Sequence, residues 1–215
     1  MLARAMSEIS QKLFAIIPPD PRLIEDCAEQ FAESAVACVL MRTSAQYALP
    51  DSSQLGPLVA SLQRDNIAVL FDWGGSANLH GADGVLANTG PRGLMDNLEH
   101  AVAAIKPHGI VGAGGFETRH DAMVAAEKDI DFVLFESEPV PGAVSAQLAV
   151  TEWASWWSEL FTVPCIACAA NADELNALAT TGCDFLGVTI PPGITVKESR
   201  TLLERGLAAL QTVRL

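Results

Sequence analysis

Positive charge is scarce in this sequence. The 215 residues include 13 Lys and Arg against 26 Asp and Glu, which gives a net charge of −13. Such a surface repels phosphate backbones and anionic lipids, so it argues against a protein that binds nucleic acid or a membrane surface. No apolar run reaches the roughly 20 residues of a membrane-spanning helix, and the first residues lack a secretory signal pattern. We therefore expect a cytoplasmic protein.

Aromatic residues are also few, at 6% of the chain, whereas half of the residues are hydrophobic. This composition favours tight packing of helices on a sheet over an aromatic-rich β-sandwich. The five cysteines form no regular framework, which predicts reduced thiols. Cys165 and Cys168 have C-x-x-C spacing, but they lie in an apolar run typical of a buried strand. Because strand residues three apart face opposite ways, we expect two core residues and no metal or redox site.

Short apolar runs alternate with segments of helical spacing along the chain. Eight runs are typical of strands: 13–17, 35–41, 67–71, 84–87, 109–112, 131–135, 165–168 and 185–188. Helical patterns lie near 21–33, 53–64, 75–80, 93–105, 118–128, 143–161, 171–180 and 194–211, and the third is short. Continuous apolar runs indicate strands buried on both faces of a parallel sheet. The sequence therefore predicts one α/β domain over 1–215, a (β/α)8 TIM barrel with an N-terminal extension at 1–10.

One pattern recurs where three of these strands begin. The segments GADGVL (81–86), DIDFVL (129–134) and GCDFLG (182–187) each follow a helical segment and open a strand. Gly81 and Gly182 suit the left-handed position that ends a helix. Asp83, Asp131 and Asp184 are expected to accept hydrogen bonds from local turn amides at the N-terminal face of the barrel, which serves stability. We predict structural roles for all three.

The functional groups of a TIM barrel lie at the C-terminal ends of its strands. The predicted catalytic residues there are Arg42, Glu117 and Glu136. Arg42 is suited to clamp a phosphate or carboxylate, and equally to a salt bridge with Asp72 or Glu136. Asp72 is the candidate ligand for Mg²⁺. Glu136 and Glu117 are candidate acid–base groups, although a solvated loop charge is favoured for Glu117.

Further positions complete the predicted binding set with Asp72. They are Trp73, Asn88, Thr89, Gly114, Gly115 and Thr189. The glycine-rich segment 112–115 allows close approach of a ligand to the backbone and offers amides for an anion nest. Trp73 suits stacking on a planar ring or packing over the short third unit. Pro191 and Pro192 follow Thr189 and lack amide hydrogens, which predicts a weak phosphate nest after the last strand.

Histidine and tryptophan give two further indications. None of the four histidines falls at a predicted strand end, so the sequence supports neither a histidine triad nor a histidine metal cluster. The helical segment 143–161 carries Trp153, Trp156, Trp157 and Leu160 on one face. Most of this face should pack as core, but three tryptophans exceed what packing needs. The segment is therefore our candidate for a homodimer contact.

The chain resembles the thiamine phosphate synthase/TenI family of TIM barrels over nearly its whole length. The resemblance is carried by VACVLMR (36–42), similar to the family's VTLVQLR, by IAVLFD (67–72), similar to PFIIND, and by GADGVL (81–86), similar to GADGVH. It implies an enzyme that joins a pyrimidine pyrophosphate to a thiazole phosphate with Mg²⁺ and releases pyrophosphate, or a TenI-type isomerase of the thiazole phosphate. Arg42 matches the family's arginine, and Asp72 matches its first metal-binding aspartate.

Other positions depart from the family pattern. Leu40 replaces a glutamine, Ser44 a lysine, Phe71 an asparagine, Pro91 the second metal-binding aspartate, Ala169 and Ala170 paired glycines, and Glu117 the TenI histidine. The family's threonine and lysine after strand 6 are absent from 137–141. These changes remove donors that stabilise pyrophosphate, and such electrostatic stabilisation usually contributes most to catalysis of phosphate chemistry. The sequence predicts a degenerate synthase with weak or no activity. The alternatives are a barrel that binds a small phosphorylated or heteroaromatic ligand or a partner without catalysis, and another TIM-barrel lyase or isomerase.

Overall fold

The computed structural model describes residues 11–33, 36–43, 50–75, 79–88, 93–136, 144–169 and 171–213. Eight strands and seven helices lie within these residues. In chain order they are β1 (Lys12–Ile17), α1 (Pro21–Glu33), β2 (Val36–Met41), α2 (Ser52–Arg64), β3 (Ala68–Asp72), β4 (Gly84–Ala87), α3 (Leu94–Ile105), β5 (Ile110–Gly114), α4 (Arg119–Ala126), β6 (Phe132–Glu136), α5 (Val144–Leu160), β7 (Cys165–Ala169), α6 (Leu175–Ala179), β8 (Phe185–Thr189) and α7 (Val196–Thr212).

The strands form a closed parallel barrel in sequence order. Each strand pairs with the next, and β1 pairs with β8 to complete the ring. This confirms the predicted TIM barrel, and every predicted strand end lies within two residues of the observed one. The helical pattern near 75–80 lies partly outside the described residues, and residues 79 and 80 are not helical. The predicted extension at 1–10 lies outside the described residues.

Side chains alternate between the barrel interior and the layer between sheet and helices. The interior is filled by bulky residues from many strands, so it is a packed core and not a channel. The interior cluster consists of Phe14, Ile16, Cys38, Leu40, Ala68, Leu70, Leu86, Phe132, Leu134, Ile166, Cys168 and Phe185. Gly112 lies where any Cβ would overlap the Phe132 ring, and Gly187 lies where it would overlap Cys168. Glycine at these positions makes room for the larger neighbour.

The two cysteines of the C-x-x-C segment face opposite sides of β7, as predicted. Cys165 packs in the layer between sheet and helices, and Cys168 packs inside the barrel. All five cysteines are buried as free thiols. Burial raises the pKa of the Cys168 thiol and raises that of Cys183 to about 11. Thiols of this kind are unreactive core residues.

The three recurring aspartates join neighbouring strands at the N-terminal face. Asp83 accepts the Val69 amide at 2.8 Å, and Asp131 accepts the Val111 amide at 2.7 Å. Asp184 likewise accepts the amide of Cys165 at 2.9 Å. Their structural role is therefore confirmed, but the predicted partner was wrong. The amide belongs to the preceding strand and not to the local turn, because the carboxylate reaches across the sheet.

The glycines before two of these aspartates have the predicted left-handed backbone. Gly81 has a φ of 91° and Gly182 a φ of 80°. An L side chain at either position would be strained. The glycines thus allow the sharp reversal that brings the following aspartate into line with its strand.

The tryptophan face of α5 packs mainly against the barrel. Trp157 is fully buried, and its Nε1 donates to the Val163 carbonyl at 2.7 Å. Trp153 and Trp156 are half-buried against the same core, whereas 66% of Leu160 is exposed. The predicted core role of the tryptophans is confirmed, and the homodimer contact stays a prediction.

Candidate functional site

Four polar side chains lie at the C-terminal mouth because they continue the inward alternation of their strands. On β2, Cys38 and Leu40 fill the barrel interior, and the next inward position is Arg42. The same alternation leads to Asp72 after Leu70, to Asn88 after Leu86 and to Glu136 after Leu134. The C-terminal ends of parallel strands meet at one face, so these four residues form a ring of polar groups on the interior core.

Arg42 bridges the barrel mouth from β2 to β6, which lies on the opposite side of the ring. Its Nη1 donates to Glu136 Oε2 at 2.5 Å, and its Nε lies 3.6 Å from Asp72 Oδ1. Burial lowers the pKa of Arg42, but the charges of Glu136 and Asp72 raise it overall. The predicted salt bridge is thus present, with Glu136 and Asp72 both as partners, whereas the predicted clamp on the phosphate or carboxylate of a ligand stays a prediction.

Asp72 is held from several sides. Its Oδ2 accepts the Thr43 amide at 3.1 Å, and its Oδ1 accepts Asn88 Nδ2 at 3.2 Å. Burial raises the pKa of Asp72 above its ordinary value, although the Arg42 charge opposes this shift. Both carboxylate oxygens are therefore engaged by protein donors.

Asn88 is positioned by Asn97, which is outside the predicted set, and by Gly114, which belongs to it. Its carbonyl accepts Asn97 Nδ2 at 2.7 Å, which ties β4 to α3. A Cβ at Gly114 would lie 2.8 Å from Asn88 Oδ1, so the glycine makes room for this amide. Sequence reasoning missed Asn97, because a helical asparagine nine residues beyond Asn88 carries no local signal.

Three buried polar atoms in the ring have no hydrogen-bond partner within the described chain. They are Nε and Nη2 of Arg42 and Oδ1 of Asn88. Buried polar atoms are usually paired, and such exceptions tend to mark functional or strained sites. The ring is thus less well satisfied than a purely structural ion-pair network would be.

A cavity of about 730 Å³ opens above this ring. Polar residues line one side, and the other side is built from β6, α5 and the loop after β5. The lining consists of Arg42, Thr43, Asp72, Asn88, Gly115, Phe116, Glu117, Leu134, Phe135, Glu136, Ala149, Val150 and Trp153. Sequence reasoning missed the apolar part of the lining, because Phe135 faces the helix layer and Trp153 lies on a helix face that is typical of core.

A capping box fixes the loop that carries Phe116 and Glu117. Thr118 Oγ1 accepts the Asp121 amide at 3.2 Å, and Asp121 Oδ2 accepts the Thr118 amide at 2.8 Å. These reciprocal bonds start α4 immediately after the loop. Glu117 is exposed and lies at the rim of the cavity.

The remaining predicted residues lie elsewhere. Trp73 packs against the cluster formed by β4, β5 and α3 and does not line the large cavity. Thr189 lines a separate cavity of about 210 Å³ between β7, β8 and their helices, with Ala169, Leu175 and Pro191 among its neighbours. This corner often holds phosphate in TIM barrels, but here it is largely apolar. Thr89 lies outside the described residues.

Sequence and structure comparisons relate the chain to known proteins. No family model matches it. It is 31% identical over 189 residues to a thiamine-phosphate synthase of Rhodospirillum centenum, covering 82% of this chain and 86% of the relative. It is 26% identical over 194 residues to a thiamine-phosphate synthase of Hyphomonas neptunium, covering 83% and 84% of the two chains.

A solved structure agrees in fold. The thiamine phosphate pyrophosphorylase from Pyrococcus furiosus superposes with a TM-score of 0.68 at 20% identity, covering 94% of this chain and 96% of that one. At this identity the superposition supports the barrel alone, whereas the sequence match to the Rhodospirillum centenum protein extends over most of both chains. The chain therefore belongs to the thiamine-phosphate synthase family.

Proposed function

We propose that this chain is a family member whose mouth binds a small heteroaromatic ligand and whose thiamine phosphate synthase activity is weak or absent. The observation that carries the proposal is the bridge from Arg42 to Glu136 and Asp72. Arg42 is the sole cationic side chain among the described residues that line the cavity. It is already neutralised from within the chain.

The reaction implied by the family resemblance releases pyrophosphate and therefore needs donors and cations. Removal of a single donor of this kind typically slows an enzyme by about 10²- to 10³-fold. Here Glu136 already binds Arg42, and Pro191 and mostly apolar side chains line the smaller cavity at the usual phosphate corner. A transition state rich in negative charge would meet carboxylates instead of donors.

The donor set also fits Mg²⁺ poorly. The resemblance gives Asp72 as a metal ligand, yet its oxygens accept from Thr43 and Asn88 and face Arg42. The described residues contain no cluster of three His, Cys, Asp or Glu side chains able to hold a metal ion. Mg²⁺ prefers a near-ideal octahedron of oxygen ligands. We therefore propose that this site holds no Mg²⁺ of its own.

The direct test supplies hydroxymethylpyrimidine pyrophosphate, thiazole phosphate and Mg²⁺ and measures thiamine phosphate by chromatography. The Rhodospirillum centenum relative serves as the positive control. We expect a rate at least about 100-fold below that of the relative. Turnover comparable to the relative that disappears in Asp72→Ala would overturn the proposal.

The variant Glu136→Gln tests the carrying observation. It keeps the size of the side chain but removes the charge that engages Arg42. We expect the affinity for inorganic diphosphate, measured by calorimetry, to rise about tenfold, because the guanidinium becomes available to an anion. Glu204→Gln on α7 removes the same charge from an exposed position away from the mouth and should change nothing. An unchanged affinity in Glu136→Gln would show that the bridge does not limit anion binding.

A further inference from the structure

The mouth cavity carries an excess of negative charge. Asp72, Glu117 and Glu136 line it together with Arg42, so the formal charge of the described lining is −2. The rest of the chain adds to this field, since the whole chain carries a net charge of −13. A cleft lined by one sign of charge concentrates ions of the opposite sign.

Arg42 offers little to an anion within this cavity. Its Nη1 is bonded to Glu136, and its Nε and Nη2 are shielded from solvent. A phosphate or carboxylate would therefore meet carboxylate oxygens and a guanidinium that Glu136 already engages. The mouth is therefore unfavourable for anions, because its net charge is negative and its guanidinium is already engaged.

The opposite side of the cavity is aromatic. Phe116, Phe135 and Trp153 line it, and the Phe135 ring centroid lies 5.9 Å from the centroids of both other rings. Leu134 and Val150 complete an apolar surface beside them. Aromatic faces attract cations that come within about 6 Å of the ring centroid. They also provide contact area for flat rings.

We infer that the mouth binds a flat organic cation that lacks phosphate groups. The carboxylates on one side neutralise its charge, and the aromatic side holds its ring. The volume of about 730 Å³ suits a small organic molecule. The inference rests on the proposed function, because it assigns a charge class to the ligand of that same site.

The test uses four probes of graded charge. They are 1-methylnicotinamide as the cation, nicotinamide as its neutral counterpart, nicotinate as the anion of similar shape, and inorganic diphosphate. Calorimetry against the intact protein should show that the cation binds at least about tenfold more tightly than nicotinamide. Both anions should bind at least about tenfold more weakly than nicotinamide.

Two variants locate the binding. Glu117 lies at an exposed position on the rim of the cavity. The variant Glu117→Gln should weaken binding of the cation about fivefold and leave the affinity for nicotinamide unchanged. Trp153→Leu should weaken binding of the cation by a similar factor. The urea midpoint of this variant shows whether the fold is retained. Glu204→Gln is the matched charge control and should bind the cation like the unaltered chain.

The outcomes separate this inference from the proposed function. Tighter binding of nicotinamide, nicotinate or diphosphate than of the cation overturns the inference and leaves a small-ligand site in place. Absence of binding by all four probes also overturns it. Efficient synthesis of thiamine phosphate overturns the proposed function, and that result comes from a different assay.

Discussion

Arg42 lies between two carboxylates and can neutralise only one of them. Its contacts with Glu136 and Asp72 are partly buried, since 27% of its side chain and 20–22% of theirs are exposed. Removing one partner of a buried ion pair leaves a charge without compensation. The protonation state of Asp72 therefore affects the stability of the whole barrel mouth.

We expect Arg42→Met to lower the free energy of unfolding by about 2 kcal/mol at neutral pH, less than for a fully buried pair because the groups are partly exposed. The loss should shrink as the pH falls. The pKa of Asp72 is already raised by burial, and loss of the Arg42 charge raises it further. A carboxyl with a raised folded-state pKa favours folding while protonated, and this contribution disappears as the pH rises through that pKa.

Urea unfolding at several pH values between about 4 and 7 measures this dependence. Arg205→Met is the control, because Arg205 forms an exposed pair with Asp173 and should cost only a few tenths of a kcal/mol at any pH. A loss in Arg42→Met that is independent of pH would contradict the role given to Asp72.

Strand alternation determines both the core and the mouth at the scale of elements. On β6, Phe132 and Leu134 fill the barrel, and Glu136 takes the next inward position at the C-terminal end. At the N-terminal ends, Asp83, Asp131 and Asp184 join β4 to β3, β6 to β5 and β8 to β7. The C-terminal end of β6 thus contributes to the candidate site, whereas the N-terminal ends of β4, β6 and β8 carry the bonds that join neighbouring strands.

We expect Asp131→Ala to lower the free energy of unfolding by about 2 kcal/mol, because the Val111 amide and Lys106 both lose their carboxylate partner. Thermal or urea denaturation measures the loss. Asp129→Ala is the matched control two residues away. The Asp129 side chain is 73% exposed, and its Oδ1 lies 4.0 Å from Lys106 Nζ. Equal losses in the two variants would show that the bond across the strands contributes nothing specific.

The whole molecule is strongly acidic, with 26 acidic and 13 basic residues. Mutual repulsion of like charges destabilises a compact state, and salt screens it over about 10 Å at 0.1 M. We expect the melting temperature to rise by a few degrees when sodium chloride increases from about 0.02 to about 0.3 M. A scanning calorimetry series measures it, with sucrose of equal osmolarity as the control. A falling melting temperature would mean that local ion pairs outweigh the net repulsion.

The barrel was predictable from the sequence, whereas only part of the site was. Continuous apolar runs such as 67–71 follow directly from burial on both sheet faces, and they marked the strands within two residues. Arg42, Asp72 and Glu136 were predictable because strand ends meet at one face. The contribution of Trp153 and Phe135 to the cavity lining was not predictable. It depends on how α5 packs over β6, and no local sequence pattern indicates this tertiary contact.

The aspartates at the N-terminal face affect where the chain of this barrel can be broken without loss of bonds between strands. Each carboxylate accepts a hydrogen bond that joins one odd-numbered strand to the even-numbered strand after it. The described chain therefore contains three strand pairs joined in this way, and we call each such bond a staple. A break between β4 and β5 leaves every staple within one fragment, and a break between β5 and β6 separates Asp131 from Val111. Split halves and circular permutants should therefore reassemble best when they are opened at the joins between pairs.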